Sequence, residues 1–176
     1  MARNIEIKAR IPDIIVMAAK VAAVATEGPI EIPQDDTFFP CAAGRLKLRQ
    51  FSADRGELIY YRRADQGGPK ESFYLLSPTT SPDTLRESLA AAYGVAGRVR
   101  KERTLYLVGR TRVHLDRVEY LGEFLELEVV LADGESADSG TRDAHALMQA
   151  LGIGAAQLID VAYVDLLARP CPPIGR

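Results

Sequence analysis

The sequence predicts an antiparallel α+β fold whose strands turn a charged face inward, as the wall of a barrel or tunnel does. Three observations predict it. Glu6-Ile7-Lys8-Ala9-Arg10, Arg45-Leu46-Lys47-Leu48-Arg49, Arg112-Val113-His114-Leu115-Asp116 and Glu126-Leu127-Glu128-Val129 each alternate charge with an aliphatic residue. Period-two alternation marks a strand with two unlike faces. About eight strands, mostly joined as hairpins, accompany four helices. A βαβαβ alternation with glycine-rich turns is missing, which argues against the parallel nucleotide-binding architectures.

Residues 3–11 read as the first strand. Pro12-Asp13 opens a helix that the apolar, alanine-rich stretch from Ile14 to about Ala25 continues, and Gly28-Pro29 stops it. Residues 31–39 look like a strand or an extended edge. Residues 44–51 and 56–63 form a hairpin around Asp54-Arg55-Gly56. Gly67-Gly68-Pro69 is a loop before a strand near 70–76. Ser81-Pro82-Asp83 is an N-terminal capping pattern for a helix running to Tyr93, with Gly94 as its stop. Strands follow at about 98–108, 111–119 and 123–131, with Gly109 and Gly122 at the turns. A helix fits 138–151, ended by Gly152, and another fits 155–168. Residues 1–169 make one domain, and 170–176 (Pro170-Cys171-Pro172-Pro173 among them) a loose tail.

A chain of 176 residues with nearly half of them apolar can bury a core. Its net charge of −2 makes the whole chain no attractor of nucleic acid or membrane, so any anion site must come from local clustering. Cys41 and Cys171 lie far apart and lack metal-ligand spacing, which suits a reducing compartment. With no signal peptide and no spanning apolar run, the expected location is the cytoplasm. The oligomeric state is left open, with a homodimer as one option.

With the charged faces inward, the bore would hold Asn4, Glu6, Lys8, Arg10, Arg45, Lys47, Arg49, Lys70, Ser72, Lys101, Arg103, Arg112, His114, Asp116, Glu126 and Glu128. That is nine fixed cations against four carboxylates. So many like charges in one cavity are unfavourable when it is empty, and a bound triphosphate would offset them. Arginine forks suit phosphate oxygens, and lysine acts as a point charge. Glu126 and Glu128 flank one residue and so share a face. Hard oxygen ligands beside phosphates point to Mg²⁺ or Mn²⁺.

The ordered series Asn4-Ile5-Glu6-Ile7-Lys8, Asp36-Thr37-Phe38-Phe39, Gly44 through Arg49, Lys70-Glu71-Ser72, Lys101-Glu102-Arg103, and Arg112 through Leu121-Gly122-Glu123-Phe124 to Glu128 resembles the CYTH family. This is the group of class IV adenylyl cyclases and thiamine triphosphatases, the triphosphate tunnel metalloenzymes. The resemblance covers residues 3 to about 168. It implies a closed eight-stranded antiparallel β-barrel with flanking helices, holding a triphosphate and a divalent metal, Mg²⁺ or Mn²⁺. It implies Glu6, Glu126 and Glu128 as metal ligands, with Asp116 nearby. Lys8, Lys47, Arg49, Lys70, Lys101, Arg103 and Arg112 become phosphate ligands, joined by Arg45 and His114 as further candidates. Lys8, Lys70 and Arg112 are the candidate catalytic groups.

Two positions depart from the family pattern. The first glutamate of its E-x-E-x-K signature is Asn4 here, which offers a carbonyl without charge. The segment after Asp36-Thr37 often carries tyrosine in triphosphatases, where a tyrosine–lysine pair activates water; here it is Phe38-Phe39.

The function this supports is a metal-dependent phosphohydrolase that removes the terminal phosphate of an inorganic or organic triphosphate. Alternatives are a class IV adenylyl cyclase, turning ATP into cyclic AMP and pyrophosphate, and a non-catalytic binder of triphosphates or polyphosphate. The expected partner is a small triphosphate-containing molecule, with neither nucleic acid nor membrane. His114 suits substrate or metal contact or a structural hydrogen bond. His145 belongs on a helix surface, Cys41 in a loop or edge, and Tyr163 in core packing or as a plug at the tunnel end.

Overall fold

The computed structural model describes residues 2–63 and 68–168. In chain order these form β1 (Ala2–Arg10), α1 (Ile14–Ala22), β2 (Glu27–Phe39), β3 (Arg45–Ser52), β4 (Arg55–Arg63), β5 (Lys70–Thr79), α2 (Pro82–Tyr93), β6 (Gly97–Val108), β7 (Thr111–Val118), β8 (Gly122–Val130), α3 (Ala137–Leu151) and α4 (Tyr163–Ala168). The eight strands close into one antiparallel barrel in the order β1-β5-β4-β3-β2-β6-β7-β8. Pairing of Glu6 with Glu128 and of Lys8 with Glu126 closes it between β8 and β1. The expected closed barrel with flanking helices is therefore the fold. The tail beyond Ala168 lies outside the described residues.

Strand β1 shows how the alternation is used. Ile5, Ile7 and Ala9 point outward, and Asn4, Glu6 and Lys8 inward, yet all six are buried. The outer row packs with Val113, Leu115, Leu125, Leu127 and Val129 beneath α1 and α3. Burial of each large aliphatic side chain here contributes roughly 1.5–3 kcal/mol. Gly140 lets α3 approach closely, since a Cβ there would sit 2.7 Å from both Ile5 and Leu131. The hydrophobic layer is thus outside the barrel wall, and the ionic layer inside it.

Helix α1 begins where its cap dictates: the Asp13 carboxylate accepts from the amides of Ile15 and Val16 at 2.8 and 3.0 Å. It ends at Ala22 rather than near Ala25. Gly28-Pro29 does not merely stop it but lies inside β2, which starts at Glu27. Gly28 has φ +105°, and a Cβ there would meet the Leu105 carbonyl oxygen at 2.7 Å, so the strand pairs with β6 only with glycine at this point. The helix expected over 155–168 is broken. A 3₁₀ turn occupies Ala155–Gln157. Leu158 then bridges to Ala9, and the Ile159 amide donates to the Lys8 carbonyl at 2.9 Å. This pairing with β1 overrides helical propensity and leaves only α4 beyond it. Residues 158–162 cross the end of the barrel and deliver Tyr163 to its bore.

Candidate functional site

A single cavity inside the barrel gathers Glu6, Lys8, Lys47, Arg49, Lys101, Arg103, Arg112, Glu126 and Glu128. The register explains this convergence. Lys8 stands opposite Glu126, Glu126 opposite His114, and Glu128 opposite Arg112. Asp36 stands opposite Arg49, and Arg103 opposite Asp116. Period-two strands keep these residues on one face all round the wall.

The bore is a mesh of ion pairs. Asp36 accepts from Lys47 Nζ and from Arg49 Nε and Nη2, each at 2.8 Å. Asp116 accepts from Arg103 Nε and Nη2, both at 2.7 Å, and from the Tyr163 hydroxyl at 2.9 Å. Glu126 lies 2.7 Å from Lys8 Nζ and 3.1 Å from Arg103 Nη2. The Tyr163 ring packs on Phe124 at 4.8 Å and carries the Lys8 ammonium 4.0 Å from its centroid. Tyr163, expected in core packing or as a plug at the tunnel end, packs in the core with Val99 and Phe124, and with Ala162 it lines the cavity where residues 158–162 cross the barrel. At the other end Leu76 lines the cavity with half its surface exposed.

Several expectations need correction. The described lining holds six cations, Lys8, Lys47, Arg49, Lys101, Arg103 and Arg112, against five carboxylates, Glu6, Asp36, Glu57, Glu126 and Glu128. The large positive excess expected from the sequence is therefore not there. Arg10 is exposed, lies over the Phe124 ring at 4.7 Å and donates to the Leu121 carbonyl, beyond the closed end. Arg45 makes a two-pronged pair with Asp165 of α4 at 2.9 and 2.7 Å and lines a separate surface pocket. Lys70 is buried but donates to the Asp160 carbonyl at 3.1 Å, toward the plug. Asp116 is occupied by Arg103 and Tyr163 and anchors cations. His145 and Cys41 are exposed, as read from the sequence.

On the acidic side, His114, Glu126 and Glu128 bring one ligand atom each within 4.8 Å of one another. His114 Nδ1 is 3.6 Å from Glu126 Oε1 and 3.8 Å from Glu128 Oε1, too far for hydrogen bonds, and it is buried with no bonded partner. Asn4 Oδ1, which also lines the cavity on β1, is likewise orphaned. Buried polar atoms of this kind need a partner. The orphaned His114 nitrogen and Asn4 amide oxygen, beside the Glu126 and Glu128 carboxylates, form a donor set that fits a divalent cation.

The mesh shifts the titrating groups. Burial works against the Asp36 carboxylate, but the charges of Arg49 and Lys47 hold it well below the usual range. Burial likewise opposes ionisation of Glu126, and Lys8 and Arg103 overcome it and hold it well below that range. Burial, reinforced by Arg49, pushes the Lys47 ammonium down to about 8. Burial and Arg103 push Lys101 down to about 7 against the pull of Asp116. Burial raises the Tyr163 phenol well above its ordinary value, and Asp116 and Glu126 add to that.

Sequence reasoning missed Asp36 as a site residue, although its motif was noticed. The readable signal was a carboxylate near the end of β2, set to face the Lys47-x-Arg49 alternation across a hairpin. Glu57, Tyr61 and Tyr74 also line the cavity. Tyr74 shares the face of Lys70 and Ser72 in β5, so alternation could have found it, whereas β4 carries no run that marked Glu57 or Tyr61.

Fold and site together define a closed antiparallel barrel with a bore of paired cations and carboxylates, sealed at one end. The chain belongs to the CYTH domain family, whose model matches residues 2–163. The barrel is similar to the PH1012 protein of Pyrococcus horikoshii, with TM-score 0.82 and 22% identity over 93% of this chain and 98% of that one. It is also similar to HpAC1 of Hippeastrum, a protein with a dominant triphosphatase activity, with TM-score 0.67 and 15% identity over 96% and 95% of the two chains. The Pct1 RNA triphosphatase of Schizosaccharomyces pombe is more distant, with TM-score 0.54 and 11% identity over 89% and 86%. No curated protein matches by sequence. No helix among the described residues is long and apolar enough to cross a membrane.

Proposed function

We propose that the protein is a divalent-metal-dependent phosphohydrolase that takes the phosphate chain of a triphosphate into the bore and releases its terminal phosphate. One observation carries this reading: six cations suited to phosphate line one cavity with Glu126 and Glu128, whose carboxylates cluster with the buried His114. Family membership supports it, and so does the triphosphatase activity of HpAC1 and Pct1.

Each phosphate-type cation is paired with a carboxylate: Lys47 and Arg49 with Asp36, Arg103 with Asp116 and Glu126, Lys8 with Glu126, Lys101 with Asp116, and Arg112 with Glu128. The side chains are ordered before substrate arrives, so little is lost in positioning them around phosphate oxygens. Once there, their charge stabilises the transition state of an in-line displacement. His114, Glu126 and Glu128, with Glu6 and Asn4 alongside, would hold Mg²⁺ or Mn²⁺, which supplies charge neutralisation at the phosphate oxygens when bound. Lys101, 3.5 Å from Asp116, stands with Lys8 and Arg112 as a cation on this cavity and stabilises the charge that develops on the phosphate, while Lys70 is turned toward the plug.

The test is a turnover assay of the purified protein with inorganic triphosphate and ATP, each with Mg²⁺ or Mn²⁺, reading phosphate, pyrophosphate and cyclic AMP separately. Phosphate release without cyclic AMP is expected. Cyclic AMP with pyrophosphate would replace hydrolysis by the cyclase reaction, and metal-enhanced binding without product would make the protein a binder.

A further inference from the structure

Helix α1 is apolar on its solvent side as well as on its buried side. Ile14, Met17 and Val21 are buried in the layer that packs on the barrel wall and α3. On the opposite side Ile15, Val16, Ala19, Ala22 and Ala23 are exposed, Ile15 over 72% and Val16 over 54% of its surface. Spacings of three and four residues put these side chains on one face. The other two long helices differ. α2 turns Asp83 and Glu87 to solvent, and α3 turns Asp138, Arg142 and Asp143. A helix that is apolar all round is ordinarily covered on every side, and an exposed apolar patch marks an interaction surface.

The face is graded from end to end. Its N-terminal half carries the bulky Ile15 and Val16, and its C-terminal half the small Ala19, Ala22 and Ala23. Its flank is charged. Asp13 and Lys20 are both exposed and stand about two turns apart, so they lie on the same side of the face. The Asp13 carboxylate caps Ile15 and Val16, and Lys20 donates to the Leu151 carbonyl at 3.3 Å. Neither enters an ion pair among the described residues. Turned end for end, this face is its own complement: bulk lies over small, and acid meets base. A different partner would need none of this symmetry.

We propose that α1 is the contact of a homodimer, in which two copies pair their α1 helices antiparallel about a two-fold axis between Val16 and Met17. Val16 meets Val16 across the axis. Ile15 of each copy rests against Ala19 of the other, and Asp13 of each stands beside Lys20 of the other, so every contact is made twice. The alanines let the helix axes approach to about 8 Å, the close end of helix packing. The face is one short helix, smaller than the roughly 800 Å² per partner of a standard interface, so the dimer is weak and assembles at micromolar concentration or above.

The experiment is sedimentation velocity of the full chain over a concentration series, joined to oxidative cross-linking of Val16→Cys and Ala23→Cys in a Cys41→Ser, Cys171→Ser background. A monomer–dimer equilibrium is expected. Val16→Glu, at an exposed position, should weaken it at least tenfold with the melting temperature unchanged. Lys20→Glu sets two acids side by side and should weaken it several-fold. Val16→Cys should give a covalent dimer, because the axis brings that position against itself. Ala23→Cys should not, since its two copies lie about 20 Å apart along the helices, far beyond disulfide reach. A chain that stays monomeric at every concentration overturns the proposal. So does a dimer that Val16→Glu leaves intact, or one that cross-links at Ala23→Cys as readily as at Val16→Cys, because the contact would then use another face or another register.

Discussion

Lys47 Nζ lies 2.8 Å from Asp36 Oδ2, and the same carboxylate takes both prongs of Arg49. One buried acid thus holds two of the cations that a phosphate would need. Removing one partner of a buried pair leaves uncompensated charge, at a cost of about 3–5 kcal/mol. Asp36→Asn should therefore lower the melting temperature by about 10 °C in a chain of this size. The two released cations should then respond more strongly to an anion. The rise in melting temperature on adding inorganic triphosphate should exceed that of the wild type, and an equal or smaller rise would mean that Asp36 does not compete with phosphate.

Glu126→Gln and Glu128→Gln should each abolish metal-dependent turnover with the barrel intact by circular dichroism. His114→Gln should weaken Mn²⁺ at least tenfold in calorimetry, because it withdraws the orphaned nitrogen from the cluster. Unchanged Mn²⁺ affinity in all three variants would place the ion elsewhere.

The two depressed lysines give a pH signature. Lys101 and Lys47 titrate at about 7 and about 8 in the folded chain, against 10.5 unperturbed. Between about pH 7 and 10.5 the unfolded chain binds more protons than the folded one, so these groups make stability rise with pH across that window. A triphosphate favours the charged ammonium. Binding at pH 8 should take up protons, and affinity should fall as pH climbs past 7 and 8. Calorimetry in buffers of different ionisation heat measures this uptake, and identical heats in all buffers would contradict it.

Asn4 is buried and lines the cavity with its carbonyl oxygen unpartnered. Asn4→Glu should put a charged hard oxygen beside the metal cluster, tighten Mg²⁺ and raise turnover at limiting metal. Lower turnover at saturating metal would show the added charge repelling phosphate. No change in either quantity would place position 4 outside the site.

Arg45 tests the boundary of the bore. Its pair with Asp165 fastens α4, whose first residue is the plug. Arg45→Ala should lower the melting temperature by a few degrees and leave triphosphate affinity within about twofold. A tenfold loss of affinity at unchanged stability would return Arg45 to the ligand set.

The sequence by itself determined the strands, their inward faces and most of the cavity's charge. Alternation is a local property: once a segment is a strand, Lys47 and Arg49 must share a face, as must Glu126 and Glu128. It could not decide where the barrel ends. Arg10 and Arg45 obey the same alternation as Lys8 and Lys47, but the plug formed by residues 158–163 separates them from the bore, and that plug exists only because Leu158 and Ile159 pair with β1. Nor could it show that the charges cancel. Asp36 and Arg49 meet through the β2–β3 register, Arg103 and Asp116 through the β6–β7 register, Lys8 and Glu126 through barrel closure, and Tyr163 reaches Asp116 by the chain's return across the barrel's end. Ion pairs between distant segments depend on register and distance, which no single strand carries, so the balance of charge in the bore was settled only when the strands closed.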